Sequence, residues 1–330
     1  MAIIANTFVS TDAVGNREEL SDVVSRITPE DTPIYSMIGK EGAKSTHPEW
    51  EIDDLAAPAA NANVEGDEFA FTALDTPDRV GNYTQIFRKA WIVSETQEAV
   101  DNAGRVEKIK HQKLKKGIEV RKDIEFALLS NTASVATGTR YLGSLASWYE
   151  TNASRGATGS NGGYNSGTGL TVAAGNGTQR AFTKALLDAT MQSIYTSGGT
   201  TKFASVSPYV KSVFTSFMSD NNVAQFRYAA SASGKNTIIA TADVYEGDFG
   251  KVMIVPNRVQ AGSATLARNV HLLDPSLLSM KMLRKIQNVK NIAKTGDAEK
   301  GVIIGEGTLC VKNEQGLGVV ADVFGLTAST

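Results

Sequence analysis

Hydrophobic positions recur at helical spacing in several parts of the chain. In "REELSDVVSRI", residues 17 to 27, Leu20, Val23, Val24 and Ile27 fall on one side behind the acids Glu18 and Glu19, which predicts a short amphipathic helix. Residues 101 to 131 carry no proline, can be capped by Asp101 or Asn102, and place Leu114, Ile118, Ile124 and Leu128 on one face. A helix of that length is a rod of roughly 40 Å, more than a small core needs. In "QRAFTKALLDATMQSIYTSGG", Phe182, Leu186 and Ala189 share a face, and Gly198-Gly199 supplies the stop.

The strand-like runs are distributed differently. "HPEWEIDD" and "YTQIFRKAWIVSE" flank a connection of about 25 residues, far beyond the 2 to 5 of ordinary hairpin loops. A segment of that kind is disordered, functional, or ordered by something outside its own domain. "KFASV" is followed by Ser207-Pro208, an N-cap and a first-turn proline, opening a helix striped by Val210, Val213, Phe214 and Phe217. Gly247 and Gly250 lead into Val252–Val255, which Pro256 stops. With the helices they make a small α/β unit. "LLSMKMLRKIQNVKNIA", "GVIIGEGTLCVKN" and "LGVVADVFG" predict a closing antiparallel sheet of long strands. Pro29 and Pro33 predict irregular chain, and the glycine-rich run Arg155 to Thr178 predicts a surface loop.

Composition narrows the classes. The chain of 330 residues is 42% hydrophobic with a formal charge of −2, so it buries a core and does not coat an anionic polymer over its whole surface. Basic character is local: Arg105 to Glu125 holds eight Lys/Arg and four Asp/Glu, whereas the remainder holds 25 and 31. Within it, Lys108, Lys110, Lys113 and Lys115 are candidates for non-specific contact with DNA phosphates, against a solvated face carrying ion pairs such as Glu119 with Lys122. The single cysteine, Cys310 in "GTLCV", excludes an intrachain disulfide and reads as a core thiol in a reducing compartment. No membrane span or signal peptide is expected.

Catalytic patterns fail on context. "GLGVVA", Gly316 to Ala321, has the glycine spacing of a dinucleotide fingerprint, but the chain ends before the required helix and acid. "SASGKNT" lacks the first glycine and the hydroxyl of a P-loop. His47, His111 and His271 read as a loop, a helix-surface and a strand-edge residue. Pairs such as Asp53-Asp54 and Glu65, Asp67, Glu68 read as solvated charge. No catalytic, cofactor or metal residue is nominated, and the expectation is a non-enzyme.

The order of arm, long loop, long helix, α/β unit and closing strands resembles the major capsid proteins of tailed double-stranded-DNA bacteriophages. The resemblance covers nearly the whole chain and is carried chiefly by "ITPEDTPIYSMIGKEGAKSTHPEWEIDDL" and "AKTGDAEKGVIIGEGTLCVKNEQGLGVV". It implies an α+β capsid fold: an N-terminal arm 1–45, an extended two-stranded loop 46–97, a peripheral domain 98–177 with spine helix 101–131, an axial domain 178–268, and closing strands 269–330. It implies hexamers and pentamers of an icosahedral virion shell assembled in a bacterial host, with itself, packaged DNA, portal and scaffold or decoration proteins as partners. The expected inter-subunit contacts are Trp50, Phe69, Phe71, Leu74, Tyr83, Phe87 and Trp91. Encapsulin-like nanocompartment shells share the fold and are the runner-up. A DNA-binding protein using helix 105–125 is the alternative from another class.

Overall fold

The computed structural model describes residues 28–68, 71, 73–74, 76–100, 108–217, 228–230, 236–238, 243–289, 292–294 and 296–325. The expected helix 17–27, the start of the helix 101–131, Phe69 and most of "SASGKNT" lie outside them. In chain order the elements are α1 (Pro33–Met37), β1 (Gly39–Gly42), β2 (Glu49–Ile52), β3 (Asp78–Gly81), β4 (Gln85–Ser94), α2 (Glu95–Ala99) and α3 (Lys108–Leu129). Then come β5 (Ala153–Ser154), β6 (Gly163–Asn165), β7 (Leu170–Val172), α4 (Lys184–Thr196), β8 (Phe203–Val206) and α5 (Pro208–Ser216). The chain continues through β9 (Tyr228–Ala230), β10 (Asn236–Ile238), β11 (Val244–Gly247), β12 (Gly250–Pro256), α6 (Arg258–Ala261) and α7 (Ala264–Ala267). It closes with β13 (Val270–Leu273), β14 (Leu278–Asn288), β15 (Ala298–Val311) and β16 (Gly318–Val320).

Two sheets organise the subunit. The first runs β1-β14-β15-β4, with β14, β15 and β4 antiparallel and β1 parallel to β14. Its inner face, including Phe87, Met280, Ile303 and Leu309, meets Val120, Ile124 and Leu128 of α3. The second runs β11-β12-β8-β13-β16-β5. One side of it, through Phe203, Leu273 and Val319, joins the same core. The other side, through Ala204, Ile254, Leu272 and Val320, is covered by Leu187, Met191 and Ile194 of α4 and Val210, Val213 and Phe214 of α5. Burial on both faces explains why β8 and β13 are buried at every position.

Local chemistry sets the element boundaries. Ser207 accepts from the Val210 amide, with Pro208 in the first turn, and so opens α5 as its sequence predicts. Gly250 has φ of +129°, a conformation open to glycine, and the glycines of "VYEGDFGKVMIVP" make the β11–β12 turn. That stretch is a hairpin of the second sheet. Glu125 links distant segments: its buried carboxylate accepts from the Ile34 and Tyr35 amides at 3.1 and 2.8 Å and from Asn257 at 2.7 Å. Burial pushes this carboxyl above its ordinary range, against the opposing effect of those three donors.

The structure corrects several sequence readings. Pro33 does not block structure: it occupies the first turn of α1, where a missing amide hydrogen is harmless. In α3 the buried residues fall in the C-terminal half, from Val120 onward, and Leu114 is 71% exposed. In α4 the buried stripe is Leu187, Met191 and Ile194; of the expected face, Phe182 is buried just before the helix and Leu186 packs against the same core, but Ala189 is exposed. "LGVV" does not join the long closing strands: β16 pairs with β13 and β5 in the second sheet. His271 lies in β13 between β8 and β16, a central position rather than an edge.

The glycine-rich run is also more ordered than a surface loop. It holds the β6–β7 hairpin, whose Tyr164 stacks on Trp148 at 5.7 Å. Thr171 is buried and accepts from the Ser134 amide at 2.9 Å. Gly156 permits close passage of two backbones: a Cβ built there would stand 2.0 Å from the Thr178 carbonyl oxygen.

Candidate assembly surface

The long loop has a rigid root. Strands β2 and β3 pair antiparallel from Glu49↔Gly81 to Ile52↔Asp78, so the second strand of the projecting hairpin is β3 and not the aromatic run after Tyr83. Trp50 anchors it: its indole nitrogen donates to the Val311 carbonyl at 2.8 Å, and Lys281 Nζ lies 4.8 Å from its ring. His47 stacks on Tyr83 at 4.1 Å. Glu49 is paired with Arg79, and this hydrogen-bonded guanidinium holds its carboxyl below the ordinary range.

Beyond that root the character reverses. Between Ile52 and Asp78 the described residues form no strand or helix. Leu55, Val64, Phe71 and Leu74 are 98, 80, 95 and 92% exposed. Isolated exposed apolar side chains are unremarkable, but a run of them on one segment marks a surface for a partner. Each large side chain fully buried on association contributes roughly 1.5 to 3 kcal/mol before ordering costs.

The remaining expected contacts divide. Trp50 and Tyr83 are half-buried at the hairpin root. Phe87 and Trp91 are only 5 and 6% exposed, and they fill the subunit's own core. The reason is strand alternation: odd positions of β4 face α3, while Ile86, Arg88, Ala90 and Ile92 face outward. Ile86 and Ile92, 46 and 62% exposed, are therefore the apolar positions of β4 open to a neighbour, and the alternation in "QIFRKAWIVS" is the signal that separates the two sets.

The four helix lysines do not converge. Lys110 and Lys115 are exposed, whereas Lys108 and Lys113 are partly covered. Lys113 Nζ stands 5.3 Å from the Trp91 ring. Further along α3, Lys116 pairs with Glu119 and Lys89 of β4 with Asp123, both at 2.8 Å. Among the described residues there is no group of three or more His, Cys, Asp or Glu side chains placed to hold a metal, and no helix long and apolar enough to cross a membrane. Cys310 is buried, which pushes its thiol above the ordinary range.

Solved structures share this architecture. A chain of the cyanophage A-1(L) capsid asymmetric unit superposes with a TM-score of 0.60 at 13% identity, over 95% of this chain and 98% of that one. The Gordonia phage Cozz structure gives 0.59 at 12% identity, over 98 and 97%. In sequence, the major capsid protein of Escherichia phage Phieco32 is 38% identical over 127 residues, which are 38% of this chain. That match spans 36% of the curated relative's own length. The sequence model of the family described as SU10 major capsid protein matches residues 4–324, nearly the entire chain. The chain therefore belongs to the SU10 major capsid protein family.

Proposed function

We propose that this chain is the repeating structural subunit of a bacteriophage head, assembling with itself into hexamers and pentamers of an icosahedral shell around double-stranded DNA. The observation that carries the reading is the loop beyond β2 and β3: it is anchored at its root, and four apolar side chains on it are at least 80% exposed. Within such a shell, residues 46–97 form the extended loop, 98–177 the peripheral domain, 178–268 most of the axial domain and 269–330 the closing strands. DNA is met through non-specific charge, including Lys110 and Lys115. Portal and scaffold or decoration proteins complete the particle. The solved phage G assembly, with a TM-score of 0.51, pairs gp27 major capsid proteins with gp26 decoration proteins.

Electron microscopy of the purified recombinant chain tests this reading. Closed shells or rings of five and six subunits are the expected result. A chain that stays monomeric under every assembly condition would contradict it.

A further inference from the structure

Three cations distant in sequence converge beside β1. Lys40 of β1, Arg121 of α3 and Lys285 of β14 line a cavity of about 530 Å³ together with Tyr35, Met282 and Ile286. All three cationic residues are exposed, and among the described residues none has a carboxylate at ion-pair distance. The acid on the rim, Glu41, faces Lys312 at 3.5 Å. Lys40 Nζ lies 4.5 Å from the Tyr35 ring centre. A second cavity of about 640 Å³, also bordered by Gly42, differs: there Arg79 is paired with Glu49, and Lys281 covers Trp50.

Like charges gathered by three separate elements repel, and an anion placed between them removes that repulsion. A guanidinium fork with two ammonium groups over a largely apolar floor is a donor set for the oxygens of a phosphate. We propose that Lys40, Arg121 and Lys285 form a phosphate-binding site, filled by a phosphodiester of nucleic acid or by free phosphate. Only the nucleic-acid source rests on the proposed function; the site itself rests on the three cations.

The test uses the purified full chain, with sedimentation and circular dichroism matched across variants. Binding of a 12-base-pair duplex is followed by fluorescence anisotropy over a range of salt for the wild type and for the triple variant Lys40→Gln, Arg121→Gln, Lys285→Gln. Loss of this one phosphate contact lowers the slope of log affinity against log salt by about 0.9, and affinity at low salt falls at least about tenfold. The control Lys184→Gln, Lys251→Gln, Lys294→Gln removes equal charge elsewhere and leaves the slope unchanged. In parallel, inorganic phosphate raises the wild-type melting temperature above that in chloride of equal ionic strength, and the triple variant loses this rise. A phosphate effect without a duplex effect identifies free phosphate as the source. If neither readout depends on the three cations, the site does not exist. If they instead bind a peptide of residues 61–75 in preference to phosphate, they belong to an interface between copies, and the proposal is overturned.

Discussion

His271 shows how a residue's surroundings override its usual chemistry. It is fully buried in β13 with Tyr149 Oη 3.1 Å from its Nδ1, and burial, helped by nearby Arg155, pushes it down to about 4. The native state therefore keeps it neutral where the unfolded chain takes up a proton. Stability is unaffected by this group above pH 6.5, falls as pH drops from there towards 4, and loses about 3 kcal/mol in all. Urea unfolding at pH 7 and pH 4 checks this: the wild type should lose about 3 kcal/mol more than His271→Gln over that interval. Equal losses would mean that the imidazole is protonated in the folded subunit. Gly156 makes a steric prediction. An alanine methyl would meet the Thr178 carbonyl, which is backbone and cannot swing aside, so Gly156→Ala should destabilise by about 1 to 3 kcal/mol in the same assay. Neither residue was legible beforehand, because a lone histidine and one glycine among many reveal their environment only once distant strands are paired.

Elements were legible where local chemistry decides them and obscure where tertiary contacts do. Ser207-Pro208 announces α5, and the glycines around Asp248-Phe249 announce the turn into β12, because capping and turn geometry are local. The buried stripe of α4 was misjudged at Ala189 because the face a helix buries is chosen by the sheet it packs on, here the second sheet through β16 and β5, and not by its own periodicity alone. The hairpin pairs Glu49–Ile52 with Asp78–Gly81, so its second strand is not the aromatic run that the sequence suggests. Asp78–Gly81 is short and polar at its start, while the richer pattern after Tyr83 belongs to a long strand of the first sheet. That misassignment put Phe87 and Trp91 on an interface when β4 turns them into the core. For α3 the consequence is testable. Lys113→Gln should lower stability by about 0.5 to 1 kcal/mol through lost contact with Trp91, whereas Lys115→Gln should leave the melting temperature unchanged. Equal effects would show that the cation–π contact carries no weight.

At the scale of the molecule, two sheets share one core, and a rooted loop departs from it. The sequence showed the order of these parts and the inability of the loop to satisfy itself, but not the surface it reaches, since a partner's face is not written in one chain's periodicity. Cys310 is buried in β15, so assembly should be indifferent to reductant, which light scattering of particles in dithiothreitol would check. The central claim is that the loop is the device by which subunits hold one another, and it is tested most directly by removing it. Residues 54 to 76 can be replaced by an Asn-Gly turn, which keeps the β2–β3 pairing and, among the described residues, touches no core side chain. Sedimentation velocity of this variant beside the full chain, with thermal unfolding as the check on folding, should show a cooperatively melting monomer that forms neither rings nor shells. Normal shells from the trimmed chain would contradict the account.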